Sequence, residues 1–412
     1  MIPIHINEER KFKTISVVVK FKTPINKETV TERALLSKIL TKSTAKYPTE
    51  QLLHDALADC YGANVYSYVT KQKTAHVVTI GIDMINDKYL SHPENLFKRG
   101  LEILSEVIQR PVIENNQFNA HKVSIEKKLL QARFEAIKDN KTQYGYQQLM
   151  KEMFKGHDYR YPSYGIEEKL NEVTPQSLYH AYRSMINEDE KEIFVIGDIE
   201  AADVKDNIKH YLALPQGTAV LDTFQLEQPA EPVYITEQTD TTQAKINIGM
   251  TADVNYGTTS YFALIVFNQI FGGDVTSLLF MNVREKMSLA YQIHSQIDAR
   301  LGYIYVIAGV NKETKELTVK TILDQLALIK EGEFDEALIH TAKTMLITHK
   351  KETFDRPKGW IETTYAKGFD DIELTTQEWI QGIGRVTAQD VIDVAQHIHV
   401  HTIYCLANEV QS

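Results

Sequence analysis

The chain has 412 residues, 43% hydrophobic and 24% charged, a composition that excludes wholesale disorder and low-complexity character and a length that suits two domains of roughly 150–200 residues. A formal charge of −10 excludes a global basic footprint for nucleic acid. Two cysteines, Cys60 and Cys405, exclude a disulfide framework and a four-cysteine zinc site, and the absence of a signal-like leader or an apolar run of about 18 residues points to a cytoplasmic chain with no membrane partner.

In chain order, residues 14–21 form a β-rich run. Helices are predicted over 27–40 and over 49–58, the second with Thr49 as its N-cap. Residues 63–70 and 74–80 read as a hairpin. Long helices follow, one opening near Phe118 and another at Val173-Thr174, before a last strand at Ile193-Phe194-Val195. Residues 222–232 are polar, carry Pro229 and Pro232 and show no periodicity, which suits a linker. A second strand–helix–strand-pair series then runs through 244–250, 260–271, 291–297 and 302–308. It closes with long helices and a strand at Ile403-Tyr404-Cys405.

The two series are copies of each other. Phe118 pairs with Phe334, Lys127 with Lys343, Leu130 with Leu346 and Asp139 with Asp355, all 216 residues apart. Val173-Thr174 matches Val386-Thr387 at 213, and Ile193 matches Ile403 at 210. Short loop deletions in the second copy give this shrinking offset. A period so long marks a duplicated domain, because solenoid repeats run about 20–50 residues. The expected domains are 1–221 and 233–412, joined by 222–232. Consecutive strands on short turns, followed by helices, argue for an α+β fold: a mainly antiparallel sheet in each copy with helices packed on one face.

Thr44-Ala45-Lys46-Tyr47-Pro48-Thr49 resembles the segment after the zinc helix of the insulinase/pitrilysin metallopeptidases. In the second copy, Gly272-Gly273, Ser277, Leu279-Phe280, Arg284-Glu285-Lys286 and Leu289-Ala290-Tyr291 are similar to that family's Gly-Gly…Ser-x-Leu-Phe…Arg-Glu-Lys-x-Gly-Leu-Ala-Tyr stretch. The resemblance covers essentially the whole chain. It extends to a non-catalytic branch associated with aminopentanol modification of elongation factor P, a link that rests on resemblance alone. It implies two homologous domains closed as a clamshell around a chamber in which peptides are cut, and small bacterial members that work in pairs.

Active relatives carry His-x-x-Glu-His on the first helix. Histidines at i and i+4 face one side and share a zinc ion, and the glutamate activates the bound water. Anchored on Thr44, the five positions fall on Ala34, Leu35, Leu36, Ser37 and Lys38. Glu126 and Asp139 align with flanking acidic residues, and the third ligand position falls near Arg133. A methyl group, a hydroxyl and two cations cannot hold a dication, so no catalytic zinc motif, metal or cofactor is expected. His397-Ile398-His399-Val400-His401 is an alternative metal site if alternating side chains on a strand point one way; solvated imidazoles at a helix-to-strand junction are the plainer reading. His54, His76, His92, His121, His157 and His180 lack ligand spacing and read as surface or packing residues. Gly382-Ile383-Gly384 is too short for a phosphate loop, and both cysteines read as buried, inert thiols.

The family also uses an arginine and a tyrosine, from the second domain or a partner chain, to bind the substrate carbonyl and its oxyanion. Such donors strengthen as negative charge grows on oxygen. The matching residues are Arg284 and Tyr291. A helix end is expected at Ser288, with Tyr291 opening the next strand and Gly272-Gly273 making a turn before the helix, either a flexible one at the chamber mouth, as in relatives, or a purely structural one. The resemblance therefore implies a non-catalytic subunit of a heteromeric zinc peptidase. It would lend chamber wall and these donors to a related zinc-bearing insulinase-family partner, acting on a peptide or unfolded segment. The rival readings are a peptide- or protein-binding scaffold without proteolysis, and an independent metallopeptidase built on the carboxy-terminal histidines.

Overall fold

A computed structural model of the chain describes residues 2–92 and 94–408. The first copy gives β1 (Ile4–Glu8), β2 (Thr14–Pro24), α1 (Val30–Leu40), α2 (Glu50–Ala58), β3 (Asn64–Gln72), β4 (Ala75–Ile85) and α3 (Leu96–Gln109). It continues with a small ribbon, β5 (Ile113–Glu114) and β6 (Gln117–Phe118), then α4 (Ala120–Asp139), α5 (Lys141–Met153), α6 (Glu167–Leu170), α7 (Pro175–Asn187), β7 (Glu190–Gly197) and α8 (Ala201–Tyr211). The second copy gives β8 (Val233–Gln238), β9 (Ala244–Ala252), α9 (Thr259–Asn268), β10 (Ala290–Asp298) and β11 (Tyr303–Val310). It ends with α10 (Lys315–Glu331), α11 (Ala337–Thr353), α12 (Pro357–Lys367), α13 (Thr376–Arg385), α14 (Ala388–Gln396) and β12 (Ile398–Ala407).

The duplication is visible in the sheets. One runs β1-β7-β2-β4-β3 and the other β8-β12-β9-β11-β10. Each is antiparallel except for one parallel edge pair, β1 with β7 and β8 with β12. Sequence reading missed both of those edge strands, because each is short and pairs far along the chain.

Two compact units form: Met1–Glu135 with Tyr161–Thr223, and Ala136–Arg160 with Phe224–Ser412. In the first, alternation on β2 sends Ile15, Val17, Val19 and Phe21 into one core with Ile80 and Ile82 of β4 and Val195 of β7. Helices cover that face with Leu35 and Leu36 of α1, Leu101 and Leu104 of α3, and Leu178 of α7. In the second, Ile246, Ile248 and Met250 of β9 meet Leu264 and Phe267 of α9, Ile322 of α10 and Val391 of α14.

Residues 136–160 lie in the first sequence copy yet pack with the second sheet. Tyr303, Tyr404 and Leu406 give that sheet a second apolar face, and Leu149, Met150, Met153, Phe154 and Tyr159 cover it. Glycines permit the close approach. A Cβ on Gly249 of β9 would collide with Met153 Sδ, and one on Gly145 of α5 would lie 2.5 Å from Asn247 Nδ2. The packing boundary therefore departs from the expected 1–221 domain at this segment. A sequence repeat records which residues were copied, not which face they later cover. Residues 212–232, which include the expected linker, carry no helix or strand.

Candidate functional site

Helix α1 is held rigidly, although no side chain caps its start. Thr31 Oγ1 accepts from the Ile166 amide at 2.9 Å. Arg33 is buried and spans three partners. Its Nε donates to His76 Nδ1 at 3.0 Å, and its terminal nitrogen donates to Asp189 Oδ2 at 2.7 Å and to the Phe21 carbonyl at 3.4 Å. With Nδ1 accepting, His76 is neutral and its Nε2 donates to the Ser163 carbonyl at 2.8 Å. Burial, and then the Arg33 charge, push the imidazole down to about 3. His76 is the packing residue expected, but its arginine partner was not legible: the two lie 43 residues apart and meet only where α1 packs on β4.

This anchoring fixes the residues at the expected metal position. Ala34 and Ser37 are buried, and Ser37 Oγ turns back to the Ala34 carbonyl at 2.8 Å. Lys38 reaches β3 and donates to its Ser67 carbonyl at 3.2 Å. Its ammonium is pulled below its usual value by burial and by the Arg133 charge, while Glu126 opposes the shift. Glu126, buried on α4, is raised by desolvation, with Lys42 and Lys38 holding it back and Glu50 adding to the rise. The exposed Arg133 guanidinium lies over the Tyr164 ring, 4.3 Å from its centre. Lys122 ties α4 to the loop after α1, donating to Ser43 Oγ at 2.5 Å and to the Pro48 carbonyl at 2.9 Å. Lys38, Glu126 and Arg133 thus share one electrostatic neighbourhood. The donor set does not fit a zinc ion: a single buried carboxylate faces ammonium and guanidinium groups, and cations repel a dication. Among the described residues, no three His, Cys, Asp or Glu side chains gather as metal ligands.

Arg284 of the second pair sits on a wide helical turn, and Tyr291 follows it on β10. Leu279–Lys286 winds with π geometry, and Met287 N still bonds the Asn282 carbonyl, five residues back. Such widened turns recur at functional sites. Ser288 then flips to the left-handed region at φ 53°, its N–H reaching the Arg284 carbonyl at 3.1 Å. The chain leaves the helix there, as expected, and β10 begins with Ala290-Tyr291. Arg284 lies over the Phe280 ring and approaches Glu285 Oε1 at 3.6 Å. Tyr291 is 56% exposed and donates to Asn311 Oδ1 at 2.8 Å. Both side chains present polar tips to solvent from a backbone that the buried Leu279 and Val283 anchor in the core.

One local expectation fails, and one alternative falls away. Gly272-Gly273 is not a flexible turn: α9 runs on through a wide turn, Gln269–Gly273. A Cβ on Gly272 would sit 2.6 Å from Ser295 Oγ and 2.7 Å from Leu279 Cδ1, so this glycine serves close packing. Nor do His399 and His401 point one way. β12 bulges between Val400 and Thr402, which leaves His399 exposed and His401 buried beside Thr402 Oγ1 at 2.7 Å. An extra residue in a bulge breaks strand alternation. Cys60 and Cys405 are free and buried, and burial pushes both thiols up, Cys405 to about 11.

Comparison with known proteins gives the lineage. A family described as "Peptidase M16 inactive domain" matches residues 172–346. The chain is 32% identical over 403 residues to the "Probable inactive metalloprotease YmfF" of Bacillus subtilis (strain 168), covering 98% of this chain and 95% of that protein. The chain belongs to the M16 peptidase family, the insulinase/pitrilysin group, among its non-catalytic YmfF-type members. A protein named "Uncharacterized zinc protease YmxG", also from Bacillus subtilis (strain 168), is 24% identical over 294 residues, covering 70% of this chain and 66% of that one. A crystal structure of a conserved protein from Enterococcus faecalis V583 superposes with TM-score 0.93 at 32% identity, covering 99% of this chain and 97% of the other. Among the described residues, no helix is long and apolar enough to cross a membrane.

Proposed function

We propose that this M16 chain is the non-catalytic subunit of a cytoplasmic, heteromeric zinc peptidase. A related subunit bearing His-x-x-Glu-His holds the zinc and activates water. This chain supplies chamber wall, and Arg284 and Tyr291 bind the carbonyl of the scissile peptide and the oxyanion that forms on it. Ala34, Ser37, Lys38 and Arg133 stand where the ligands and base would be. The observation that carries the reading is their coexistence with a half-buried arginine and an exposed tyrosine on either side of the Ser288 bend. A guanidinium and a phenol are the donors that gain strength as an oxyanion forms. The relative named as a zinc protease supports a partner of the same family in a bacterium that also has a YmfF-type chain.

The test is reconstitution. This chain, a zinc-bearing M16 relative and their mixture are assayed on unstructured peptides. The expected result is turnover by the mixture well above either chain alone, reduced about 100-fold by Arg284→Ala, the scale on which removing one oxyanion donor acts. Hydrolysis by the isolated, metal-free chain refutes the proposal. A mixture whose rate is indifferent to Arg284→Ala removes that residue from the mechanism.

A further inference from the structure

The cations at the vacated metal position are not all used internally. Lys42 is paired with Glu50 at 2.7 Å. Lys122 spends two of its bonds on Ser43 and Pro48. Lys38 makes one hydrogen bond, to the Ser67 carbonyl, and an ammonium has three donors. Arg133 has no carboxylate partner among the described residues; its contact is the ring of Tyr164. Stacking occupies the face of a guanidinium and leaves its edge donors free for a bidentate carboxylate. In the group that interacts with Lys38, Glu126 and Lys122, four cations face two carboxylates, Glu50 and Glu126. This local excess of positive charge stands in a chain whose formal charge is −10.

An apolar stripe runs beside it. Ile125, Leu129 and Ala132 follow at i, i+4 and i+7 on α4 and are exposed, Ile125 to 43% and Leu129 to 57%. The opposite face of α4 fills the core with Val123, Leu130 and Phe134, so packing within the unit does not account for the stripe. Lys122 and Arg133 border it on one side by helical spacing, and His121 and Lys128 on the other.

We propose that the vacated metal position is a carboxylate-binding subsite. Arg133 and Lys38 receive a carboxylate of a bound peptide, and Ile125 and Leu129 receive its neighbouring apolar residues. The substrate class is therefore acidic, apolar peptide. The proposal rests on the peptide-binding reading above and adds a preference in charge. The carboxylate comes from an Asp or Glu side chain or from a peptide's own C-terminus.

Three rhodamine-labelled dodecapeptides built on one Ser/Leu/Ala sequence separate these sources. One has an internal Glu-Leu-Glu and an amidated end. The second has Gln-Leu-Gln and a free C-terminal carboxylate. The third has Gln-Leu-Gln and an amidated end. Binding to the full chain is followed by fluorescence anisotropy at low salt. One of the two acidic peptides is expected to bind about tenfold or more tightly than the neutral one, and which one names the source. Arg133→Gln abolishes the difference, Arg133→Lys restores part of it, and Lys128→Gln leaves most of it. Raising salt narrows the gap, as screening requires. Equal binding of all three peptides overturns the charge preference while leaving peptide binding in place. A preference that survives Arg133→Gln with the fold intact by circular dichroism also overturns it. Failure of every peptide to bind overturns this proposal and the peptide-binding reading together, whereas failure of the reconstituted rate alone leaves this one standing.

Discussion

Replacing Ser288 by glycine tests whether the bend between Arg284 and Tyr291 is held at a cost. Ser288 sits at φ 53°, and the left-handed region costs a non-glycine residue about 1–2 kcal/mol. Glycine removes that penalty but gives the unfolded chain more freedom, which takes back about 0.5–1 kcal/mol. The balance predicts a net gain of about 0.5–1 kcal/mol. The rest of the exit is backbone: Ser288 N to the Arg284 carbonyl at 3.1 Å, and Leu289 N to the Val283 carbonyl at 2.9 Å. Both survive the substitution. For a unit of roughly 200 residues, 1 kcal/mol moves Tm by about 2–4 °C, so the expected rise is about 1–4 °C in the transition that reports the second unit. Differential scanning calorimetry reads it, with Ser288→Val as the opposing control, since a branched side chain at this φ is worse than serine. An unchanged or lower Tm for Ser288→Gly refutes the idea that the bend is strained. The M16 stretch resembled here has glycine at this position, so the serine is a departure tolerated at a known conformational cost.

Other consequences of the structure are equally direct. Gly249→Ala pushes a methyl group into Met153; overpacking of this kind costs about 1–3 kcal/mol, and Met153→Ala in the same chain should recover part of it in urea titrations. His76 titrates near 6.5 when unfolded and near 3 when folded, so the unfolded chain binds the extra proton between those values. Its contribution to stability is complete above pH 6.5 and is lost as pH falls towards 3, about 2 kcal/mol by pH 5; an imidazole NMR signal that titrates above pH 5 in the native protein refutes this. Lys38→Met takes one cation from the desolvated Glu126, so the Glu126 carboxyl should titrate at higher pH than in the parent. A carbon NMR titration showing no change, or a downward shift, means that Lys38 does not serve that carboxylate.

Much of the fold was legible because its signals are local. The hairpin strands β3 and β4 show runs of branched and aromatic residues, and Thr49 caps α2 by accepting from the Leu52 amide at 3.2 Å. The repeat was legible because whole helices were copied with their spacing. What stayed hidden depends on partners far along the chain. The parallel edge strands β1 and β8 take their hydrogen bonds from β7 and β12, and nothing within five or six residues announces that. α5 reads as a helix of the first copy, but Leu149, Met150 and Met153 seek the tyrosine-rich face of the second sheet. The bulge in β12 turned a plausible histidine ladder into one exposed and one buried ring, because a single extra residue reverses strand alternation.

The candidate site divides along the same line. That Lys38 and Arg133 carry charge unsuited to zinc is a matter of residue identity and needs no structure. That they share a neighbourhood with Glu126 depends on the placement of α1 and α4, which Arg33 and Lys122 secure through carbonyls and side chains of other elements. A buried carboxylate is costly without a counter-charge. At this position Lys38 and Lys42 provide that charge covalently, where a metallopeptidase would use an exchangeable ion. The chain therefore keeps the packing of the helix pair without needing metal for it. Arg133 is not among the groups that act on Glu126, which is why the carboxylate-subsite proposal can assign it to a ligand.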